Sequence, residues 1–144
     1  VRISEVLEAK SRGGGVVTIS PEAGVRELLA VLAEHDVGAL VVSTDGTGLD
    51  GIVSERDVVR HLHEDGTVIH NTVGAIMTTA VQTCGPESSV DELMRTMTER
   101  RVRHVPVVVD GVVVGVVSIG DVVKHKLSQL EFERDQLDSY LHQT

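Results

Sequence analysis

The chain has 144 residues, of which 41% are hydrophobic with valine prominent, and its formal net charge is −9. That length suits one domain or two half-domains sharing a core, and the apolar content suits a packed interior rather than disorder. One Phe, one Tyr and no Trp provide no platform for stacking bases, and the acidic balance provides no basic face for phosphate backbones, so the reading excludes nucleic acid.

No apolar run approaches the roughly 20 residues of a membrane helix, and no signal peptide is visible at the N-terminus. The single cysteine, Cys84, cannot form an internal disulfide. The expectation is no membrane and a cytoplasmic location.

Residues 3–10 predict one or two helical turns with Ile3, Val6 and Leu7 on one side, and residues 11–15 (Ser-Arg-Gly-Gly-Gly) a loop. That glycine run lacks the Lys-Ser/Thr of a phosphate-binding P-loop. Val16 to Ile19 read as a short strand. Ser20-Pro21-Glu22 then read as a helix start, Ser as N-cap and Pro at the first helical position, with Val25, Leu28, Leu29 and Leu32 following at helical spacing. Val37 to Val42 predict a strand, Asp45 to Gly48 a turn, and Gly51-Ile52-Val53 an antiparallel return strand. A helix from Glu55 ends near Asp65-Gly66.

The order then repeats. Val73, Ile76 and Met77 echo the first helical turns; Val81 to Cys84 match Val16 to Ile19 as a strand. Pro86-Glu87 match Pro21-Glu22, and Val90, Leu93, Met94 and Met97 continue the helical stripe as core. Val102 to Val107 match Val37 to Val42, and Asp110-Gly111 read as a tight hairpin turn. Gly115-Val116-Val117-Ser118-Ile119-Gly120-Asp121 stands 64 positions after Gly51-Ile52-Val53-Ser54-Glu55-Arg56-Asp57. Each is an apolar strand entering Ser-x-x-Asp at a helix start. Two β-α-β-β-α units follow, and neither has enough core to stand alone. Packing one sheet face on the other about a pseudo-twofold axis leaves clefts between the halves, where small ligands sit.

The division expected is residues 1–66 as the first repeat with its N-terminal helical turn, 67–127 as the second repeat, and 128–144 as a helical extension. The last helix runs from about Ile119 to about Tyr140, with Val123, Leu127, Leu130, Leu137 and Leu141 in a heptad-like seam broken by Arg134. Two readings stand for that seam: contact with a second copy, or packing on the N-terminal turns.

The doubled G-h-h-S-x-x-D (h apolar), the segment Val102-Arg103-His104-Val105-Pro106-Val107-Val108 and the element order together resemble a tandem pair of CBS domains, the Bateman module of stand-alone bacterial-type regulatory proteins. The resemblance spans about residues 1–127. It implies an α/β (α+β) fold of two β-α-β-β-α repeats about a pseudo-twofold axis, plus a C-terminal helix. It also implies a regulatory module, not an enzyme, that senses an adenine nucleotide (AMP, ADP or ATP) and requires no cofactor; S-adenosylmethionine or NAD is the alternative ligand. By the same resemblance Asp57 and Asp121 take ribose hydroxyls and Ser54 and Ser118 lie near phosphate. Thr18, Ile19, Gly38, Ala39, Thr83, Cys84, Arg103 and His104 surround adenine, and Pro106 belongs to the second motif. The implied partners are the nucleotide, a second copy in a homodimer, and an unidentified regulated protein.

The chemistry suits those positions. A carboxylate accepts two hydrogen bonds at once, which matches a cis-diol, and a helix N-terminus favours phosphate. Arg56, Arg100, Arg101, Arg103, His104, Lys124 and Lys126 are cations available to phosphate. The same Ser-x-x-Asp is also a helix capping box, so a purely structural dimer is the rival reading. The sites are not equivalent: Gly120 replaces Arg56, while Arg103-His104 replace Gly38-Ala39. One competent site and one weak or vacant site is the expectation. A nucleotide hydrolase lacks an activating base in this sequence. His61, His63 and His70 read as surface rather than metal ligands, since i and i+2 diverge on a helix. Cys84, at the position of Ile19, reads as a small buried hydrophobe.

Overall fold

The computed structural model describes residues 2–10 and 16–142; the loop predicted at residues 11–15 lies outside the described residues. In chain order the elements are α1 (Ile3–Lys10), β1 (Thr18–Ile19), α2 (Val25–His35), β2 (Ala39–Val42), β3 (Gly51–Ser54), α3 (Glu55–Glu64), a 3₁₀ turn (Gly66–His70), α4 (Val73–Ile76), α5 (Val90–Arg100), β4 (His104–Val109), β5 (Val112–Ser118) and α6 (Ile119–His142). This is the mixed α/β repeat architecture with a C-terminal helix.

In the first half β1 pairs parallel with β2, and β2 pairs antiparallel with β3, Ala39 opposite Ser54 and Val42 opposite Gly51. The apolar side of α2 (Val25, Leu28, Leu32) closes on Leu40, Val42, Val53 and Val58. In the second half β4 pairs antiparallel with β5, His104 opposite Ser118, with a bulge at Val107/Val108. Val90, Leu93 and Met97 of α5 pack there on Val105, Val107, Val117 and Val122. The hairpin turn takes left-handed angles at both central residues, φ 49 at Asp110 and 78 at Gly111, as two-residue hairpins require.

Strand residues alternate between faces. Leu40 and Val42 turn to the helices, so Val41 turns the other way; it is nevertheless fully buried, and its counterpart Pro106, between Val105 and Val107, is buried too. The second faces of both sheets are therefore covered by the opposite half. His104 lies over Gly38, its ring 3.5 Å from where a Cβ would stand, and Val113 donates its N–H to Thr47 O at 2.9 Å. These contacts tie the halves together about the pseudo-twofold axis.

The short helical turns are exchanged between cores. α1 delivers Ile3 and Val6 to the second core, while Val73 and Ile76 of α4 enter the first. Backbone bonds fix the exchange: Val25 N–H to Asn71 O at 3.0 Å and Val73 N–H to Ala23 O at 2.8 Å on one side, Ile3 N–H to Ser88 O at 2.9 Å on the other.

Two sequence expectations need correction. Ser20-Pro21 does not start a helix; Ala23 N–H returns to Ser20 O in a turn, and α2 begins at Val25 after Gly24. The reason is the pairing of Gly24 with Thr72, which holds that backbone extended. Residues 81–84 do not form a strand either. Only Cys84 bridges to Val107, because Pro106, at the place of Val41, has no N–H to offer the neighbouring chain.

Candidate functional site

The two Ser-x-x-Asp sequences form the same local structure. Ser54 N–H donates to Asp57 Oδ2 at 2.8 Å and Asp57 N–H to Ser54 Oγ at 3.3 Å, a reciprocal capping box on α3. Ser118 N–H donates to Asp121 Oδ2 at 2.9 Å and Asp121 N–H to Ser118 Oγ at 3.1 Å, at the start of α6. Each box satisfies two N–H groups that a helix start leaves open, about 1 kcal/mol per cap. Within each box, Glu55 N–H donates to Gly38 O at 3.0 Å and Ile119 N–H to Arg103 O at 2.8 Å, so both strand-to-helix junctions are anchored alike.

Their surroundings differ. A cleft of about 430 Å³ opens between the halves at the start of α3. Its first wall carries Gly38, Ala39, Ile52, Ser54, Glu55, Arg56, Asp57 and Arg60, and its second carries Thr78, residues 80–82, Arg101, Val102, Arg103 and His104. Seven of the thirteen candidate residues read from the sequence (Gly38, Ala39, Ser54, Arg56, Asp57, Arg103, His104) thus meet in one cavity. The other six do not line it. Ile19 is buried in the first core and Thr18 lies in β1 beside Val41; Pro106 is buried in β4. Thr83 adjoins the Cys84 bridge, and Ser118 and Asp121 cap α6.

Of the other cations proposed for phosphate, Arg101 lines the cleft. Lys126 is held on Asp91 at 3.2 Å, and Lys124 borders a groove on α6. Glu55, Arg60 and Thr78 escaped the sequence reading as site residues, as did the apolar Ile52 and Val102 and residues 80–82. Arg60 follows Arg56 by one helical turn, a spacing that was available as a signal. Thr78 arrives only through tertiary pairing, Ile52 N–H to Thr78 O at 2.9 Å and Thr78 N–H to Ile52 O at 2.8 Å.

Inside the cleft, Oδ2 of Asp57 is occupied by the cap and by the Ser54 hydroxyl at 3.1 Å. Oδ1 accepts from no described residue, which leaves one carboxylate oxygen open at the head of α3. Arg101 is the C-cap of α5 in the left-handed region, φ 54. That sharp reversal brings Arg101 and Arg103 together at one rim. Apolar Ala39, Ile52, Val81 and Val102 supply a floor without an aromatic ring. Elsewhere, the His61 ring is bonded to the Asp57 carbonyl at 2.8 Å, and no cluster of three metal-ligating side chains occurs among the described residues. No helix among the described residues is long and apolar enough to cross a membrane.

Comparison with known proteins follows the same two halves. The family model described as CBS domain matches residues 13–64 and 73–128. The CBS domain-containing protein CBSX3, mitochondrial, of Arabidopsis thaliana is 36% identical over 146 residues, spanning 96% of this chain and 71% of that protein. Among solved structures, the CBS-domain containing protein ATU1752 from Agrobacterium tumefaciens superposes with a TM-score of 0.82 at 37% identity, covering 88% of this chain and 99% of that one. The CBS domain protein PAE2072 from Pyrobaculum aerophilum, complexed with AMP, gives a TM-score of 0.70 at 28% identity over 84% of this chain and 89% of its own.

Proposed function

The chain belongs to the CBS-domain family as a tandem pair, and from that premise we propose that it is a regulatory module binding an adenine nucleotide (AMP, ADP or ATP) between its repeats. Binding alters the geometry of a homodimer or the contact with a regulated protein. The observation that carries this reading is the inter-repeat cleft itself, where a carboxylate oxygen of Asp57 stands beside the α3 N-terminus and opposite Arg101 and Arg103. Ribose hydroxyls suit the carboxylate, phosphate suits the helix start and guanidiniums, and adenine suits the aliphatic floor. The AMP complex of the Pyrobaculum relative supports the ligand class. The single cysteine supports a cytoplasmic location.

Regulation follows if the nucleotide binds one arrangement of the halves better than another; couplings of this kind amount to about 1–3 kcal/mol. The rival reading, a structural dimer without a ligand, has its own observation: both Ser-x-x-Asp pairs serve as helix caps.

Calorimetric titration with AMP, ADP and ATP on the wild type, Asp57→Ala and Asp121→Ala separates them. Each variant loses a cap and about 1 kcal/mol of stability. Only Asp57→Ala loses nucleotide affinity, by about tenfold or more for a charge-assisted pair. A folded wild type that takes up none of the three establishes the structural reading instead.

A further inference from the structure

Four arginines edge the cleft from two sides. Arg56 and Arg60 stand four residues apart on α3, on one helical face and about 6 Å apart along its axis. Arg101 and Arg103 face them from the junction of α5 and β4. Among the described residues none of the four is paired with a carboxylate, in a chain with 22 acidic side chains against 13 Lys and Arg. Two carboxylates share the cleft, Asp57 with one oxygen committed to its cap and Glu55 beside His104 over Gly38, so positive charge remains in excess. Like charges gathered this way repel until an anion spans them.

The spacing sets the size of that anion. A single phosphate at the head of α3 meets Arg56 first, with Arg60 rooted a full turn further along. A chain of two or three phosphates laid along that face reaches both, and lies within the opposite rim of Arg101 and Arg103.

Building on the nucleotide reading above, we propose that this cleft selects a nucleoside polyphosphate, its phosphate chain lying along Arg56 and Arg60 and clamped by Arg101 and Arg103. The same charges reject S-adenosylmethionine, whose sulfonium and amino groups are cationic.

The test is titration with ATP, ADP, AMP and S-adenosylmethionine in magnesium-free buffer, on the wild type, Arg60→Gln and Arg101→Gln. Both substituted arginines lie at the surface, and circular dichroism verifies that the variants fold. ATP and ADP bind at least about tenfold tighter than AMP, both substitutions weaken ATP about tenfold, and Arg60→Gln changes AMP less than about twofold. AMP binding as tightly as ATP, substitutions that leave ATP unchanged, an Arg60→Gln variant that weakens both nucleotides alike, or tight binding of S-adenosylmethionine overturns this selectivity and leaves the nucleotide reading standing. A folded protein that binds no adenine compound overturns both.

Discussion

Pro106 shapes the second half by what it lacks. Val41, its counterpart, sits in a paired strand next to β1. Without an N–H, Pro106 leaves the preceding chain attached at Cys84 alone, and residues 80–82 become a wall of the cleft. Cys84 takes the place of Ile19 against the second core, and burial pushes its thiol up from 9.0 to about 11. Burial disfavours the thiolate, so the folded chain keeps its proton where an unfolded one has lost it. Alkylation by iodoacetamide is therefore slow at pH 8 and rises steadily toward pH 11. The stabilising contribution is whole below pH 9 and is lost as pH climbs through 11. Rapid labelling of the folded chain at pH 8 contradicts this placement of Cys84.

At the scale of elements, each repeat's strands, caps and helices are set locally, but close approaches between elements decide what each position tolerates. A Cβ on Gly51 would stand 2.8 Å from Thr78 O and 2.9 Å from Met77 Sδ. That carbonyl is fixed by its bond to Ile52, so Gly51→Ala forces β3 and the cleft edge apart, at a cost of about 1–3 kcal/mol. A Cβ on Gly115 would meet Leu7 Cδ2 at 2.6 Å, a methyl at the end of a rotatable side chain. Gly115→Ala costs less, within about 1 kcal/mol. Urea denaturation of the two variants ranks them, and an equal loss rejects the distinction between a fixed carbonyl and a yielding methyl.

For the whole molecule, the faces left uncovered matter most. Val122 of α6 is buried, whereas Val123, Leu127, Leu130, Leu137 and Leu141 are exposed along the helix. α1 touches α6, yet these residues stay exposed in the single chain. We propose that the second copy of the proposed homodimer covers them. Deleting residues 129–144 removes Leu130, Leu137 and Leu141, and by sedimentation equilibrium weakens the dimer about tenfold per leucine lost. A dimer unchanged by the deletion moves the contact to another exposed apolar surface, such as Leu29, Val59 and Leu62 on α2 and α3.

The duplication, the mixed α/β class, the helix starting at Glu55 and the long one from Ile119 were legible in the sequence because their signals are local or periodic. Ser-x-x-Asp caps whatever helix follows it, and the apolar stripes at Val25 and Val90 declare a buried face wherever they fold. Seven residues of the candidate cleft were legible through the family resemblance that the doubled motif carries, while Ser118 and Asp121, the counterparts of Ser54 and Asp57, lie outside it. The tertiary structure alone decided which core each helical turn enters, why α2 waits until Val25, and that Thr78, Arg60 and residues 80–82 complete the wall. Those outcomes depend on backbone groups finding partners far along the chain, Gly24 with Thr72 and Ile52 with Thr78, and no local propensity encodes the identity of a distant partner.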